Sequence, residues 1–192
     1  MKEIWFWSDL HLGHENCYTK FTNYDGTPMR PWNNMLEAEE RMIENFNALV
    51  KPTDTVYNLG DIGTQTSRIS YFMDRLVKCR HILLLGNHDN KIKPQFLLKY
   101  FNDIRGCYNL ENYIMSHIPI SYESRGRFKR NIHGHTHSNN ILLNGVQHPW
   151  YKNVCVEVTN YRPINFSEIK EETERFIEQG LIKLPSREDR VI

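Results

Sequence analysis

The stretch that decides the fold is His81-Ile82-Leu83-Leu84-Leu85-Gly86-Asn87-His88-Asp89, in which an apolar run meets a polar block. The consecutive branched residues predict a β-strand that is buried on both faces, as in a sheet covered by helices. An amide, an imidazole and a carboxylate follow the strand directly, and all three are common metal ligands. The stretch therefore predicts a strand that brings polar side chains to one edge of a sheet.

Four further polar blocks repeat this arrangement along the chain. Each of them follows a short apolar run that is typical of a β-strand. They are Asp9-Leu10-His11, Gly60-Asp61, Ser116-His117 and Gly134-His135-Thr136-His137. In open α/β sheets, ligands bind outside the carboxyl ends of the strands. We therefore expect all five blocks to meet at one site.

The side chains of these blocks are the ligand types that a pair of divalent metal ions needs: imidazole nitrogen, carboxylate oxygen and amide oxygen. Residues two apart in extended backbone project to the same face, so the Asp9–His11 pair and the His135–His137 pair can each approach one metal cluster. Asp61 has two carboxylate oxygens and could bridge two ions roughly 3.5–4 Å apart. The sequence thus favours a two-metal site.

The order of the predicted elements indicates the fold class. The first half of the chain alternates strands with helices, whereas the second half consists mostly of short strands with brief turns. One of these later strands is predicted over residues 153–158. We expect one domain over residues 1–192, of the α/β class, with two packed sheets and outer helices.

Composition and charge narrow the class of protein. Hydrophobic residues make up 40% and charged residues 24% of the chain, which is ordinary for a soluble globular protein. The formal net charge of +1 gives no overall attraction to nucleic acid or to a membrane. The four cysteines are widely spaced, and no apolar run has the length of a signal peptide or a membrane span. A cytoplasmic protein with no membrane partner is expected.

The order of the five blocks resembles the calcineurin-like metallophosphoesterase superfamily, in particular its small bacterial and phage members. The likeness spans residues 9–137, and the segment 153–169 is similar to the closing strands and helix of those members. One departure is Ser116, which stands where many relatives have a glycine before the histidine. The resemblance implies a four-layer α/β/β/α sandwich, in which two packed mixed sheets are flanked by helices.

The resemblance also implies two metal sites that share one carboxylate. The first would take Asp9, His11, Asp61 and His137. The second would take Asp61, Asn87, His117 and His135. Relatives commonly use manganese, iron, zinc or nickel, so two divalent ions of one of these elements are expected. In such a site, a water or hydroxide that bridges the two ions attacks phosphorus in line.

For the reaction, the resemblance implies a metal-dependent phosphodiesterase or phosphatase. His88 would contact the phosphate and protonate the leaving oxygen, and Asp89 would orient His88. The substrate would be a phosphoester, with nucleotides and nucleic acids among the candidates. A nuclease and an inactive binding scaffold of the same fold are the alternatives. The filled ligand positions argue against the scaffold.

Three features have roles that the sequence leaves open. The aromatic residues of the 13–34 insert could stack a nucleobase or pack the core of a long loop. The basic stretch Ser124–Arg130 could contact phosphates or form a solvated surface loop. His14 could touch substrate or remain solvated.

Overall fold

The computed structural model describes residues 2–23 and 25–184. Tyr24, one aromatic residue of the 13–34 insert, lies outside the described residues, as do Met1 and residues 185–192. The strands are β1 (Ile4–Trp7), β2 (Thr55–Asn58), β3 (Arg80–Leu84), β4 (Asp103–Arg105), β5 (Cys107–Leu110), β6 (Tyr113–Ser116), β7 (Arg130–His133), β8 (Leu142–Leu143), β9 (Val146–Gln147), β10 (Tyr151–Asn153) and β11 (Ile164–Asn165). The α-helices are α1 (Asn16–Thr19), α2 (Met35–Leu49), α3 (Thr66–Arg75), α4 (Pro94–Leu97) and α5 (Phe166–Glu178).

Nine of the described strands form two mixed sheets that pack against each other. The first sheet has the order β11-β1-β2-β3-β4, with β1 to β4 parallel and β11 antiparallel. The second has the order β10-β7-β6-β5, with only β5 antiparallel. Strands β8 and β9 form a separate hairpin. Two packed mixed sheets flanked by helices confirm the predicted fold class.

Strand β1 shows how the sheets are held in place. Trp7 faces the helices, where its ring packs against Phe46 of α2 at 5.0 Å and Phe72 of α3 at 5.8 Å between ring centres. Its neighbour Phe6 points to the opposite face and belongs to the core between the two sheets, together with Tyr113 of β6. Burial of a large apolar side chain contributes about 1.5–3 kcal/mol. Strand β1 is therefore fixed from both faces.

The strand predicted over residues 153–158 has a different course. Strand β10 ends at Asn153. The Val154 amide still donates to the last residue of the neighbouring strand β7, but the Val156 amide donates to the residue after β1, in the first sheet. The segment thus crosses between the sheets, and the prediction of one continuous strand was wrong. The crossing brings Glu157 to the edge at which the polar blocks lie.

Candidate metal centre

All five polar blocks lie at the carboxyl ends of strands. In the first sheet, Asp9 follows β1, Asp61 follows β2 and Asn87 follows β3. In the second sheet, His117 follows β6 and His135 follows β7. Because the strands that carry the blocks are parallel within each sheet, their carboxyl ends share an edge. The strand-end placement expected from the sequence is what the structure shows.

Several groups of three possible ligand atoms lie at this edge with no more than 4.8 Å between their members, and two of these groups consist only of predicted metal ligands. The first group is Asp9, His11 and His137. The second group is Asp61, His117 and His135. Asn87 stands beside the second group, since its Oδ1 lies 3.0 Å from Nε2 of His117. Two further groups, His11 with Asp61 and His88 and His11 with His14 and Cys17, share members with these two.

Asp61 belongs to the second group and also faces the first. Its Oδ2 lies 3.7 Å from Nε2 of His11 in the first group and 3.4 Å from Nε2 of His117 in the second. Its Oδ1 accepts the backbone N–H of His88 at 2.8 Å. One oxygen is therefore held by the backbone, and the other faces both groups. The single atom Oδ2 thus lies within 3.7 Å of an imidazole nitrogen of each group.

Asp9 also presents only one oxygen to the site. Its Oδ2 accepts hydrogen bonds from the Ser8 hydroxyl at 2.6 Å, the His135 backbone N–H at 2.8 Å and the Cys155 thiol at 3.1 Å. Within the described residues, its buried Oδ1 has no hydrogen-bond partner, and neither ring nitrogen of His11 has one. Each buried polar atom left unpaired costs about 1–3 kcal/mol. These orphaned atoms fit a cation that both residues would bind.

Hydrogen bonds on the far side of the rings orient two of the histidines. Nδ1 of His117 lies 2.7 Å from the carbonyl oxygen of Leu59, which can only accept, so Nδ1 carries the proton. Nδ1 of His137 lies 3.2 Å from Oε1 of Glu157. Both rings thereby present Nε2 to the carboxylates of the site. Partners of this kind commonly fix the tautomer of metal-binding histidines.

The carboxylates give the site a strongly negative character. Burial raises the pKa of Asp9, but the imidazole of His11, with Nε2 3.6 Å from Oδ1, and those of His137 and His117 outweigh it and hold this pKa far below its usual range. Burial lowers the pKa of His117, whereas Asp61 and Asp9 raise it to about 9. A buried cluster that keeps Asp9 and Asp61 ionised and raises the pKa of His117 is suited to binding cations.

The backbone of the site is not extended where the sequence predicts extended pairs. Left-handed φ angles of 61°, 49°, 53°, 69° and 49° occur at Asp9, His11, Asp61, His135 and His137. Such conformations cost about 1–3 kcal/mol each and cluster at functional sites. The prediction of extended backbone was therefore wrong for both pairs. Their side chains enter the site because left-handed turns redirect them.

Asp89 does not have the partner that was expected. Its buried carboxylate accepts three backbone N–H groups, from Asp61, Ile62 and Gly86, at 2.8–2.9 Å. These bonds occupy both oxygens and tie the loop after β2 to the loop after β3. The structure therefore corrects the role of Asp89: it holds the Asp61 loop in place and does not orient His88.

His88 lies at the open side of the site. Its Nε2 is 3.9 Å from Oδ2 of Asp61, and 31% of its side chain is exposed. His14 lies next to it, with ring centres 5.9 Å apart, and is 5.5 Å from the ring of His11. The ring of Phe21 meets His14 edge-on at 5.7 Å and is 45% exposed. His14 and Phe21 thus flank the approach to the ligands.

The other described aromatic residues of the insert have structural roles. Tyr18 is buried, and its hydroxyl accepts a hydrogen bond from Arg30 at 2.8 Å. The ring of Trp32 packs edge-on against Tyr161 at 4.0 Å. Core packing therefore accounts for Tyr18 and Trp32, whereas the exposed Phe21 remains free to meet a ligand.

The basic stretch is divided between the fold and the surface. Arg130 is fully buried and pairs with Glu172 of α5 at 2.7 Å. Lys129 lies 3.8 Å from another glutamate of the same helix. Arg125 and Arg127 are the members without an ion pair in the described part of the chain. Only these two are available for the phosphate contact that the sequence left open.

Two residues behind the site carry no motif. Arg30 is fully buried, and its Nε donates to Oε1 of Glu157 at 2.9 Å across 127 positions of sequence. Its guanidinium also donates to the backbone carbonyls of Asp9 and Leu10. Arg30 has no signal of this role in the sequence. Glu157 has one, because it is a charged residue within the apolar run Val154–Val158.

The chain belongs to the calcineurin-like phosphoesterase family, whose model matches residues 2–184. This is a family of metal-dependent phosphoesterases, so the predicted superfamily and enzyme class are confirmed at that level. No helix in the described residues is long and apolar enough to cross a membrane.

Three proteins are similar to this chain over most of its length. An uncharacterized protein of Methanocaldococcus jannaschii is 29% identical over 186 residues, which cover 95% of each chain. The Gene 66 protein of Mycobacterium phage L5 is 25% identical, over 74% of this chain and 81% of its own. The crystal structure of an Aquifex aeolicus protein of unknown function has a TM-score of 0.65 and 25% identity, over 89% of this chain and 99% of that one.

Proposed function

We propose that this protein hydrolyses a phosphodiester or phosphomonoester at a dinuclear metal centre. The observation that carries the proposal is the position of Asp61 Oδ2, which faces His11 at 3.7 Å and His117 at 3.4 Å. One ion would be held by Asp9, His11, Asp61 and His137. The other would be held by Asp61, Asn87, His117 and His135. When bound, the two ions would lower the pKa of water and place positive charge beside the phosphoryl oxygens.

The protein's own groups then divide between holding the ligands and acting on the substrate. Asp89 keeps the Asp61 loop in position through three backbone amides. His88 is the candidate acid, because its partly exposed ring lies next to Asp61 and can reach a phosphoester seated there. It would donate a proton to the leaving oxygen, which is typically worth about 100- to 10,000-fold in rate.

Hydrolysis of a nucleotide or nucleic acid is the second candidate function. One observation favours it: Phe21 exposes an aromatic face beside His14, at the approach to the ligands. A base that stacks on such a ring gains about 1–3 kcal/mol. Arg125 and Arg127 would add contacts to a longer phosphate backbone.

The test is a hydrolysis screen with protein reconstituted with Mn²⁺, Fe²⁺, Zn²⁺ or Ni²⁺. The substrates are p-nitrophenyl phosphate, bis(p-nitrophenyl) phosphate, cyclic nucleotides and single-stranded DNA. Asp61→Asn removes the bridging charge, and Asp74→Asn is the control because Asp74 lies on α3 with 64% of its side chain exposed. We expect metal-dependent turnover of at least one ester, lost in Asp61→Asn alone. Absence of turnover with every metal, or equal rates in both variants, would contradict the proposal.

A further inference from the structure

The buried pair of Arg30 and Glu157 lies directly behind the first ligand group. Arg30 is 0% exposed and the Glu157 side chain 2%, and the distance from Nη2 to Oε1 is 2.8 Å. The same Oε1 lies 3.2 Å from Nδ1 of His137. One carboxylate oxygen therefore connects a buried guanidinium to an imidazole of the site. On its other side, that imidazole places Nε2 at 3.9 Å from Oδ1 of Asp9.

Arg30 also fixes the backbone that carries Asp9. Its Nη1 donates to the carbonyl oxygen of Leu10 at 2.9 Å and to the Tyr18 hydroxyl at 2.8 Å, and its Nη2 donates to the carbonyl oxygen of Asp9. Burial lowers the pKa of Arg30, but Glu157, Tyr18 and Cys17 together raise it above its usual range, so the guanidinium stays charged. The cation thus ties the Asp-x-His block and Glu157 into one rigid unit.

A purely structural role explains this arrangement poorly. Buried ion pairs are weak contributors to stability, because desolvation offsets most of their attraction. Oε1 of Glu157 contacts both Nε of Arg30 and Nδ1 of His137, whereas Oε2 is buried and has no hydrogen-bond partner in the described residues. The carboxylate is therefore oriented by its contacts to the imidazole and the guanidinium together.

We propose that Glu157 and Arg30 are positioning residues for His137. Glu157 accepts the Nδ1 proton of His137 and so fixes the tautomer that presents Nε2 to a metal ion, while Arg30 holds Glu157 in place. The inference rests on the proposed function, because it takes His137 as a metal ligand. Loss of such a supporting carboxylate typically weakens metal binding by about 10- to 100-fold.

Calorimetric titration of metal-free protein with Mn²⁺ tests this without any substrate. We expect Glu157→Gln to weaken one of the two sites by about 10- to 100-fold and to leave the other unchanged. The matched control is Glu39→Gln. Glu39 is also a buried carboxylate paired with an arginine, Arg68, but its partners among the described residues include no imidazole. Equal affinities in Glu157→Gln and wild type would overturn the inference.

Two further measurements separate positioning from stability. In a His137→Ala background, Glu157→Gln should cause no further loss of Mn²⁺ affinity, because its effect passes through the ring. Long-range ¹H–¹⁵N spectra of the metal-free wild type should show the neutral His137 ring protonated at Nδ1. An additive second loss, or a ring protonated at Nε2, would overturn the inference. A wild type that binds no Mn²⁺ would instead refute the proposed function itself.

Discussion

Replacing Gly86 with alanine should disrupt the site while the fold persists. A Cβ at this position would lie 2.2 Å from Oδ1 of Asp61 and 2.5 Å from its backbone nitrogen. Favourable contacts between heavy atoms begin near about 3.5 Å, so Asp61 must retreat by roughly 1 Å. The same loop carries the Gly86 amide that donates to Asp89 at 2.8 Å, so the anchor of the Asp61 loop shifts as well.

The displacement of Asp61 sets the expected losses of stability and of hydrolysis rate in Gly86→Ala. Overpacking costs about 1–3 kcal/mol, which corresponds to a fall in Tm of about 2–12 °C for a domain of this size. A misplacement of about 1 Å at a reacting centre can lower the rate by roughly 100-fold. We therefore expect a folded variant whose hydrolysis rate falls much further than its stability.

The assay compares Gly86→Ala with Gly106→Ala by thermal unfolding, Mn²⁺ titration and hydrolysis of bis(p-nitrophenyl) phosphate. Gly106 is the control because a Cβ there would meet nothing within 4 Å. It should leave all three measurements close to those of the wild type. If Gly86→Ala binds Mn²⁺ and turns over substrate as well as Gly106→Ala does, the steric reasoning is refuted.

Three further predictions concern single residues. His88→Ala should keep both metals bound. Its hydrolysis rate should fall by about 100- to 10,000-fold on alkyl esters and far less on nitrophenyl esters, whose leaving group needs no proton. Equal falls in rate on both ester types would show that His88 stabilises phosphoryl charge instead. Burial lowers the pKa of His81 from 6.5 to about 4, so the unfolded chain takes up the proton first as the pH falls below 6.5. The free energy of unfolding should then drop by about 2 kcal/mol between about pH 7 and pH 5, and His81→Leu should lack this drop in denaturant unfolding. The same pH dependence in His81→Leu and wild type would contradict the prediction. Arg130→Ala should lower the free energy of unfolding by about 3 kcal/mol because Arg130 is fully buried against Glu172, whereas Arg127→Ala should change it by less than about 0.5 kcal/mol. Similar values for the two variants in denaturant unfolding would be inconsistent with the structure.

The placement of the candidate ligands could be predicted because it depends on local patterns. An apolar run followed by a polar block defines a strand and its carboxyl end, and parallel strands put those ends on one edge. Asp61 and His117 therefore meet although 56 positions separate them, since 117 minus 61 is 56. No knowledge of side-chain contacts was needed for this step.

Contacts between distant segments could not be predicted in the same way. The bond between Arg30 and Glu157 spans 127 positions and leaves no periodic trace in the sequence. Asp89 follows His88 directly, which suggested a pair, but three backbone amides compete successfully for its carboxylate. The left-handed angles at His11 and His137 could not be predicted either, because only a small minority of residues other than glycine adopt them.

The proposed function depends above all on Asp61 as the bridge between two metal ions. The most direct measurement is anomalous scattering from crystals of Mn²⁺-loaded protein, with the metal content determined on the same sample. We predict two ions per chain, both in contact with Oδ2 of Asp61, one beside His11 and His137 and the other beside His117. A single ion, no ion, or two ions of which only one contacts Asp61 would contradict the account.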